Sequence, residues 1–191
     1  WVESLFPYSQ NLLTPIDRRY GGFGDPSDIV EPVVGVFANH QLGAGSLEVG
    51  IVPLPRSDRL VLIENGYGFA KTVTESTGFP NTRLVDRPIP PTLGETEVGA
   101  RYVMEISGVD LSLLGYYGHH RLPTYSATIL DATTLQVEFQ YPRVFTAGAS
   151  ASYALDTWVF RALFFAEPNR EGLTTQETRL LGCFGVDKIL T

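Results

Sequence analysis

The stretch VFTAGASASYALDTWVFRALFFA, from Val144 to Ala166, decides the fold class. In its first half, threonine, glycine and serine alternate with phenylalanine, alanine and tyrosine; in its second half, Arg161 lies opposite a row of aromatic residues. A period of two residues is typical of a β-strand that has different surroundings on its two faces. Because Leu155-Asp156 between the halves predicts a short turn, the stretch predicts an antiparallel hairpin.

Similar alternation occurs along most of the chain. We predict further strands at Ser46–Val52, Glu97–Met104, Val109–Tyr117, Leu135–Tyr141 and Glu177–Lys188, with weaker candidates at Val33–Ala38 and Leu60–Phe69. Ser107-Gly108 predicts a second tight turn. The 19 glycines and 13 prolines, against a single methionine, also favour turns and strands over helices. The sequence therefore predicts an all-β fold, an antiparallel meander of about eight strands.

Proline and glycine divide the chain into two predicted regions. Residues 1–45 contain Pro7, Pro15, Pro26 and Pro32, which predict an irregular segment that packs on the sheet or plugs it. Residues 46–191 are predicted to form an antiparallel β-barrel-like region. Long polar loops are predicted at Thr72–Pro91, Gly118–Thr133 and Glu167–Thr175. Short turns that alternate with long loops are typical of bacterial outer-membrane barrels, which carry each kind at a different rim.

Composition and motifs disfavour several classes of protein. No run of about 18 apolar residues occurs, which excludes a transmembrane helix but leaves membrane-spanning strands open. The net charge of −7 and the scattered basic residues disfavour nucleic acid as a partner. The chain lacks the motifs of serine hydrolases, zinc proteases and paired-cysteine sites, so we predict no enzyme, no catalytic residue, no metal and no cofactor.

Two features that could carry chemistry have plainer interpretations. His119 and His120 are predicted to be solvated loop residues, because adjacent side chains on an extended chain point apart and no carboxylate lies at ligand spacing. Cys183 is the single cysteine and is predicted to be a small core residue, since its neighbours are apolar and include no cation that would activate a thiol.

Four stretches of the chain resemble a known family. They are SLEVGIVPLPRSDRL (46–60), TEVGARYVMEISGVDLSLLGYYGHHRLP (96–123), YPRVFTAGASASYALDTWVFRALFFAEP (141–168) and LLGCFGVDK (180–188). In these stretches the chain resembles large proteobacterial outer-membrane proteins of an uncharacterised, porin-like family. The resemblance implies a location in the bacterial outer membrane and a barrel wall. Because members of that family are far longer, it also implies that this chain is a portion of a longer barrel.

Charged residues opposite the aromatic rows are the candidates for contact with a solute. They are Glu97, Arg101, Asp110, Glu138, Arg161, Arg179 and Asp187. They predict either a charged lumen or a solvated sheet face with ordinary cross-strand ion pairs. Aromatic residues cluster at the predicted strand ends: Tyr102, Tyr116, Tyr117, Tyr141, Tyr153 and Trp158. They predict an interfacial girdle in a membrane barrel, or core and rim in a soluble protein.

Three functions remain open on these observations. The leading hypothesis is an outer-membrane, porin-like barrel that passes or binds small solutes, with the bilayer, another barrel-forming chain or copies of itself as partners. Its acidic excess favours cations. The second is a soluble β-barrel or sandwich that binds a small apolar ligand inside, with its charged face outward. The third is a structural or assembly subunit that uses the N-terminal segment as an arm.

Overall fold

The computed structural model describes residues 34–57, 77–120, 123–171 and 176–188. This part of the chain contains ten β-strands and one short 3-10 helix. The strands are β1 (Val36–Leu42), β2 (Gly45–Val52), β3 (Asn81–Arg87), β4 (Glu97–Ile106), β5 (Val109–His119), β6 (Thr124–Ile129), β7 (Thr134–Gln140), β8 (Arg143–Leu155), β9 (Trp158–Glu171) and β10 (Gln176–Lys188). The helix, Leu93–Glu95, precedes β4. The prediction of an all-β fold is confirmed, with two more strands than expected in the part described.

Seven of the strands form one antiparallel sheet in the order β1-β2-β4-β5-β8-β9-β10. Strands β3, β6 and β7 lie in the connections and are not part of this sheet. The seven remaining strands are neighbours in the order in which they follow along the chain. Within the described residues β1 and β10 are the two edges, so the sheet is open. The predicted antiparallel meander is thus confirmed, and the described strands do not close into a barrel.

Three two-residue turns join neighbouring strands of this sheet. Ser107 and Gly108 between β4 and β5 have φ values of 52° and 78°, as a tight hairpin with the right-handed twist of its strands requires. Gly43 begins the β1–β2 turn with φ 61°, and Asp156 begins the β8–β9 turn with φ 51°. The predicted turn at Ser107-Gly108 is confirmed, the turn predicted at Leu155-Asp156 lies one residue later at Asp156-Thr157, and the first hairpin adds a third.

These turns all lie at one end of the sheet, because the strands run as a continuous meander. We call this the hairpin end and the opposite one the loop end. At the loop end, residues 53–96 connect β2 to β4, residues 120–142 connect β5 to β8, and residues 172–175 connect β9 to β10. The predicted long loop at Glu167–Thr175 is wrong in its bounds, because β9 continues to Glu171 with β10 as its hydrogen-bonded neighbour.

The remaining strands form a second sheet in the order β3-β7-β6. Strand β7 pairs antiparallel with β6 but parallel with β3, which departs from the predicted all-antiparallel arrangement. The predicted loop at Thr72–Pro91 is wrong in part, because it contains β3. The predicted loop at Gly118–Thr133 is also wrong in part, because it contains the end of β5 and all of β6. Leu135, Val137 and Phe139 form the small core of this sheet.

The chain divides into two compact units that follow the two sheets. The described residues of the first are 34, 54–57, 77–95, 119–120 and 123–142, and those of the second are 35–53, 96–118, 143–171 and 176–188. Most of the predicted irregular segment 1–45 lies outside the described residues, and its last part forms β1, slightly later than the predicted strand at Val33–Ala38. The predicted strand Leu60–Phe69 also lies outside them. No described helix is long and apolar enough to cross a bilayer.

Candidate functional site: two contrasting faces of the seven-stranded sheet

One face of the seven-stranded sheet is apolar along every strand. Residues directly opposite each other on neighbouring strands share a face, so the strand registers define its members. Ile51, Val98 and Tyr117 form one such row on β2, β4 and β5. Further members are Leu47, Val49, Ala100, Met104, Leu111, Leu113, Phe145, Ala149, Tyr153, Phe160, Ala162, Phe164, Leu180, Phe184 and Val186. We refer to this surface as the apolar face.

Large side chains on the apolar face are exposed rather than packed in a core. Phe184 is 70% exposed, Leu180 63% and Leu113 54%. Val98 and Val186 are exposed as well. A patch of this kind across seven strands exceeds what a soluble monomer normally presents, and such patches mark surfaces that contact lipid or another protein. Val98 and Phe184 are not enclosed in an interior, contrary to the arrangement that a soluble apolar-binding barrel requires.

Each end of the apolar face carries a cation stacked on an aromatic ring. At the loop end, the Arg143 guanidinium lies 5.4 Å from the centroid of the Tyr117 ring. At the hairpin end, Lys188 Nζ lies 5.2 Å from the centroid of the Trp158 ring. Both distances are within the range of cation–π attraction. The described lysine and arginine side chains of this face therefore lie at its two ends, next to aromatic rings.

The opposite face carries the ion pairs of the sheet together with apolar residues, among them Val52, Leu163 and Phe165. Arg101 donates hydrogen bonds from Nε and from its terminal nitrogen to Glu48 Oε2, at 3.0 and 2.7 Å. Arg161 pairs with Asp187 at 3.1 Å, and Arg179 lies 3.9 Å from Glu167. Ser112 and Ser150 share a hydrogen bond of 2.7 Å between β5 and β8. We refer to this surface as the polar face.

Burial on the polar face changes along the strands. At the loop end Glu97, Tyr116 and Thr146 are almost completely buried. At the hairpin end Glu105 and Asp110 are exposed and lie directly opposite each other on β4 and β5. The polar face is therefore buried at the loop end of the sheet and exposed at the hairpin end.

Glycines on this face allow aromatic rings to lie flat against the backbone. A Cβ added at Gly148 would come within 2.5 Å of the Phe165 ring, which lies opposite it on β9. A Cβ at Gly118 would collide with the Tyr116 ring. A ring that covers a strand glycine helps to fix the pairing register of the neighbouring strands and fills the space of the missing side chain. By contrast, a Cβ at Gly115 or Gly182, which lie on the apolar face, would meet no atom within 4 Å.

Six of the seven predicted solute-contact residues lie on the polar face. They are Glu97, Arg101, Asp110, Arg161, Arg179 and Asp187. The prediction that Glu138 joins them is wrong, because Glu138 lies on β7 in the other sheet, where Arg87 donates a hydrogen bond to it at 3.3 Å. The sequence reasoning missed Glu48 and Glu167, although Glu48 alternates with apolar residues in the strand SLEVGIV and could have been found by that pattern.

The six aromatic residues predicted to cluster at strand ends are divided between the two faces and the second sheet. Tyr102, Tyr117, Tyr153 and Trp158 lie on the apolar face. Tyr116 instead points to the polar face, since it is adjacent to Tyr117 on the same strand, and Tyr141 is buried beyond the end of β7.

The prediction for the histidines is wrong in two respects. His119 and His120 are 5% and 8% exposed, so they are not solvated loop residues. His119 ends β5, and the backbone N–H of His120 donates a hydrogen bond to the Pro142 carbonyl at 2.9 Å. A carboxylate is also within reach, because His119 Nε2 lies 3.0 Å from Glu95 Oε2. No group of three or more potential metal ligands occurs among the described residues.

Cys183 also differs from its prediction. Its side chain is partly exposed and lies on the polar face, because the apolar face takes Gly182 and Phe184 on either side of it. It is therefore not a core residue.

The turn between β6 and β7 holds a carboxylate whose ionised form is stabilised. Asp131 Oδ1 accepts hydrogen bonds from the backbone N–H of Thr133 at 2.7 Å and from its hydroxyl at 2.8 Å. The backbone bond, followed by the hydroxyl bond, lowers the pKa of Asp131 below its ordinary value. This is an Asx turn, in which the side chain takes the place of a backbone acceptor.

Comparison of the chain with models of protein families, with curated proteins and with solved structures found no match to any of them. The functional argument therefore depends on the geometry of the two faces.

Proposed function

We propose that the seven-stranded sheet is part of the wall of an outer-membrane β-barrel that passes or binds small solutes without catalysis. Its apolar face contacts lipid, and its polar face contacts the water-filled interior. The observation that carries the proposal is the exposed apolar face, which extends over all seven strands and has a polar face behind it. Outward apolar and inward polar side chains alternate along every strand of a membrane barrel.

The lengths of the strands support this proposal. β8 and β10 have 13 residues each, and β9 has 14. A tilted strand needs about 9 to 11 residues to cross a bilayer, whereas strands of globular proteins usually have about 5 or 6. Strands of this length would be unusual in a small soluble sandwich.

The distribution of connections gives independent support. All three two-residue turns are at the hairpin end, and the two long connections, 53–96 and 120–142, are at the loop end. Bacterial barrels have short turns at the periplasmic rim and long loops outside. We infer that the hairpin end is periplasmic. The resemblance to large proteobacterial outer-membrane proteins agrees with this location.

The polar face indicates what class of solute would pass. Its carboxylates are Glu48, Glu97, Glu105, Asp110, Glu167 and Asp187, and its guanidinium groups are Arg101, Arg161 and Arg179. Each arginine pairs with a carboxylate, whereas Glu105 and Asp110 contribute negative charge at the open hairpin end. Rings of acidic side chains select cations in channels. The proposed passage therefore favours small cations over anions.

The open edges require further strands to complete such a barrel. β1 and β10 run in the same direction, because an odd number of antiparallel strands separates the two edges. Another strand-forming segment must pair with them, either from a longer form of this chain or from a partner. These edges are also what a structural or assembly subunit would use, and an oligomer without detergent would support that alternative.

Extraction and electrophoresis test the proposal. The natural protein should remain with membranes until detergent is added, and heated and unheated samples should migrate differently on a gel. Reconstituted protein should conduct ions across a planar bilayer. A chain that is monodisperse in plain buffer and binds an apolar fluorescent probe would contradict the proposal and favour the soluble barrel.

A further inference from the structure

We propose that Lys188 and Trp158 form a site for the phosphate of an anionic lipid headgroup at the hairpin end of the apolar face. This inference rests on the proposed function, and it specifies which class of lipid binds at the edge of the apolar face. The ligand is a lipid headgroup and not a free phosphate, because Lys188 lies at the margin of an exposed apolar surface rather than in a polar cleft.

The positions of the charges on the two faces lead to this inference. Among the strand residues whose side chains the structure describes, the apolar face carries Arg143, Lys188 and His40 and no carboxylate, whereas the polar face carries a carboxylate excess. Asp187, next to Lys188 in the chain, points to the polar face and pairs with Arg161 at 3.1 Å. The ammonium group of Lys188 therefore faces lipid without a neighbouring carboxylate from its own strand, and an anionic headgroup complements it.

The aromatic partner positions the lysine at a bilayer surface. Trp158, the first residue of β9, lies directly opposite both Leu155 of β8 and Lys188 of β10. Indole rings favour the headgroup level of a membrane, and a lysine beside them extends its ammonium group toward the phosphates. A cationic side chain held on a ring at this level is ready to bind an anionic headgroup.

The distance between the two cation–aromatic pairs fits a bilayer. Arg143 and Leu155 are the ends of β8, which has 13 residues and is about 40 Å long at roughly 3.3 Å per residue. A tilt of about 35 to 45° reduces this to roughly 30 Å, close to the thickness of the hydrocarbon core. The Tyr117–Arg143 pair then marks one surface of the bilayer, and the Trp158–Lys188 pair marks the other.

Quenching of Trp158 fluorescence by brominated lipids tests the site. The full chain carries a Trp1→Phe substitution so that Trp158 is the single tryptophan, and it is reconstituted in vesicles of phosphatidylcholine and phosphatidylglycerol at fixed composition. Bromine is placed on one lipid or on the other at equal mole fraction. We expect stronger quenching from brominated phosphatidylglycerol, because one lysine near the surface enriches anionic lipid about fivefold.

Three variants separate a specific site from general charge. Lys188→Gln should make the two brominated lipids quench equally, and Lys188→Arg should keep the preference. Arg83→Gln removes the same charge from an exposed position on β3 in the other sheet, and it should keep the preference.

Each outcome has a defined meaning. Equal quenching by both lipids in the parent chain, or a preference that survives Lys188→Gln, overturns the headgroup site while the barrel proposal stands. Loss of preference in both Lys188→Gln and Arg83→Gln also overturns the site, because it shows an effect of net charge. Absence of quenching by either lipid places Trp158 away from the bilayer altogether and contradicts the barrel proposal itself.

Discussion

The two sheets of this chain differ in whether their rows of apolar side chains are buried or exposed. In the three-stranded sheet, Leu135, Val137 and Phe139 of β7 are buried, and the residues between them are more exposed. In the seven-stranded sheet, Phe184 and Leu113 are exposed, while Glu97 and Tyr116 on the polar face are buried. In the small sheet the apolar row is buried, whereas in the large sheet the apolar face is exposed and the buried residues, Val52 and Phe165 among them, lie on the polar face.

This difference shows that the alternation of a strand does not determine which face is covered. β7 of the small sheet and the strands of the large sheet alternate with a period of two, and both contain valine, leucine and phenylalanine on one face. Only the surroundings differ: the core of the small sheet is enclosed by the chain itself, and the apolar face of the large sheet is not. Under the proposed function, this difference corresponds to lipid contact on the apolar face of the large sheet.

The largest expected effect comes from truncating one phenylalanine in each sheet. Phe139→Ala opens a cavity in the small core, and we expect it to lower the free energy of unfolding of that unit by about 3 to 5 kcal/mol. Phe184→Ala removes a ring that already faces its surroundings, and it should cost less than about 1 kcal/mol in detergent. Denaturant unfolding in the same micelles measures both. Equal costs would show that Phe184 lies in a core and would remove the contrast between the sheets.

A charge introduced on each face of β10 sharpens the comparison. Phe184→Arg puts a guanidinium on the apolar face, and in a bilayer we expect a loss of about 2 to 4 kcal/mol near the midplane. Cys183→Arg, one residue earlier on the polar face, should cost much less. Folding into vesicles, followed by gel migration without heating, gives both values. If Phe184→Arg is tolerated as well as Cys183→Arg, the apolar face does not contact lipid.

Glycine substitutions test whether the polar face is tightly packed where rings cover the backbone. Gly148→Ala forces the Phe165 ring to move, and we expect a loss of about 1 to 3 kcal/mol. Gly115→Ala adds a methyl group where no atom lies within 4 Å, and it should be neutral or stabilise by up to about 1 kcal/mol. Thermal unfolding of the two variants in detergent compares them directly. A neutral Gly148→Ala would mean that Phe165 does not rest on the strand.

The features that the sequence predicts well are local ones. The turn at Ser107-Gly108 and the alternation of Val144–Tyr153 depend on neighbouring residues only, so the hairpins and the two faces could be found without coordinates. Strands β3 and β6 were missed because their own alternation is weak and β7 supplies their hydrogen bonds. The parallel pairing of β3 with β7 joins segments about fifty residues apart, which no local pattern reveals.

For the candidate site, too, only the local features could be predicted from the sequence. Alternation assigns a residue to one face of its strand but not to a particular sheet, and for this reason Glu138 was grouped with Glu97 and Arg101. The burial of His119 and its contact with Glu95 also depend on two separate connections. What covers the apolar face is a property of the surroundings, and no pattern within the strand specifies it.

A smaller effect is expected from the two carboxylates at the open hairpin end. Glu105 and Asp110 lie directly opposite each other, and like charges in this arrangement are mildly destabilising. The double substitution Glu105→Gln, Asp110→Asn should stabilise the hairpin by roughly 0.2 to 1 kcal/mol and lower the preference for cations. Reversal potentials in a salt gradient measure the preference. Glu138→Gln is the control in the small sheet, and a change of selectivity only in that variant would place the passage elsewhere.

The smallest effect concerns the turn of the small sheet and its dependence on pH. Because hydrogen bonds from Thr133 lower the pKa of Asp131 in the folded chain, ionised Asp131 stabilises the fold above its unfolded pKa of about 3.9, and this contribution is lost as the pH falls through the folded value. NMR titration of the Asp131 carboxyl carbon should give a lower midpoint in the folded chain than in urea. Asp131→Asn keeps an oxygen that can accept both bonds from Thr133, so it should retain the turn but remove this part of the acid sensitivity. The apolar face of the large sheet has no described carboxylate, so the same acid range should leave its lipid contacts unchanged. Equal midpoints in the folded and unfolded chains would show that the turn does not hold Asp131 in its ionised form.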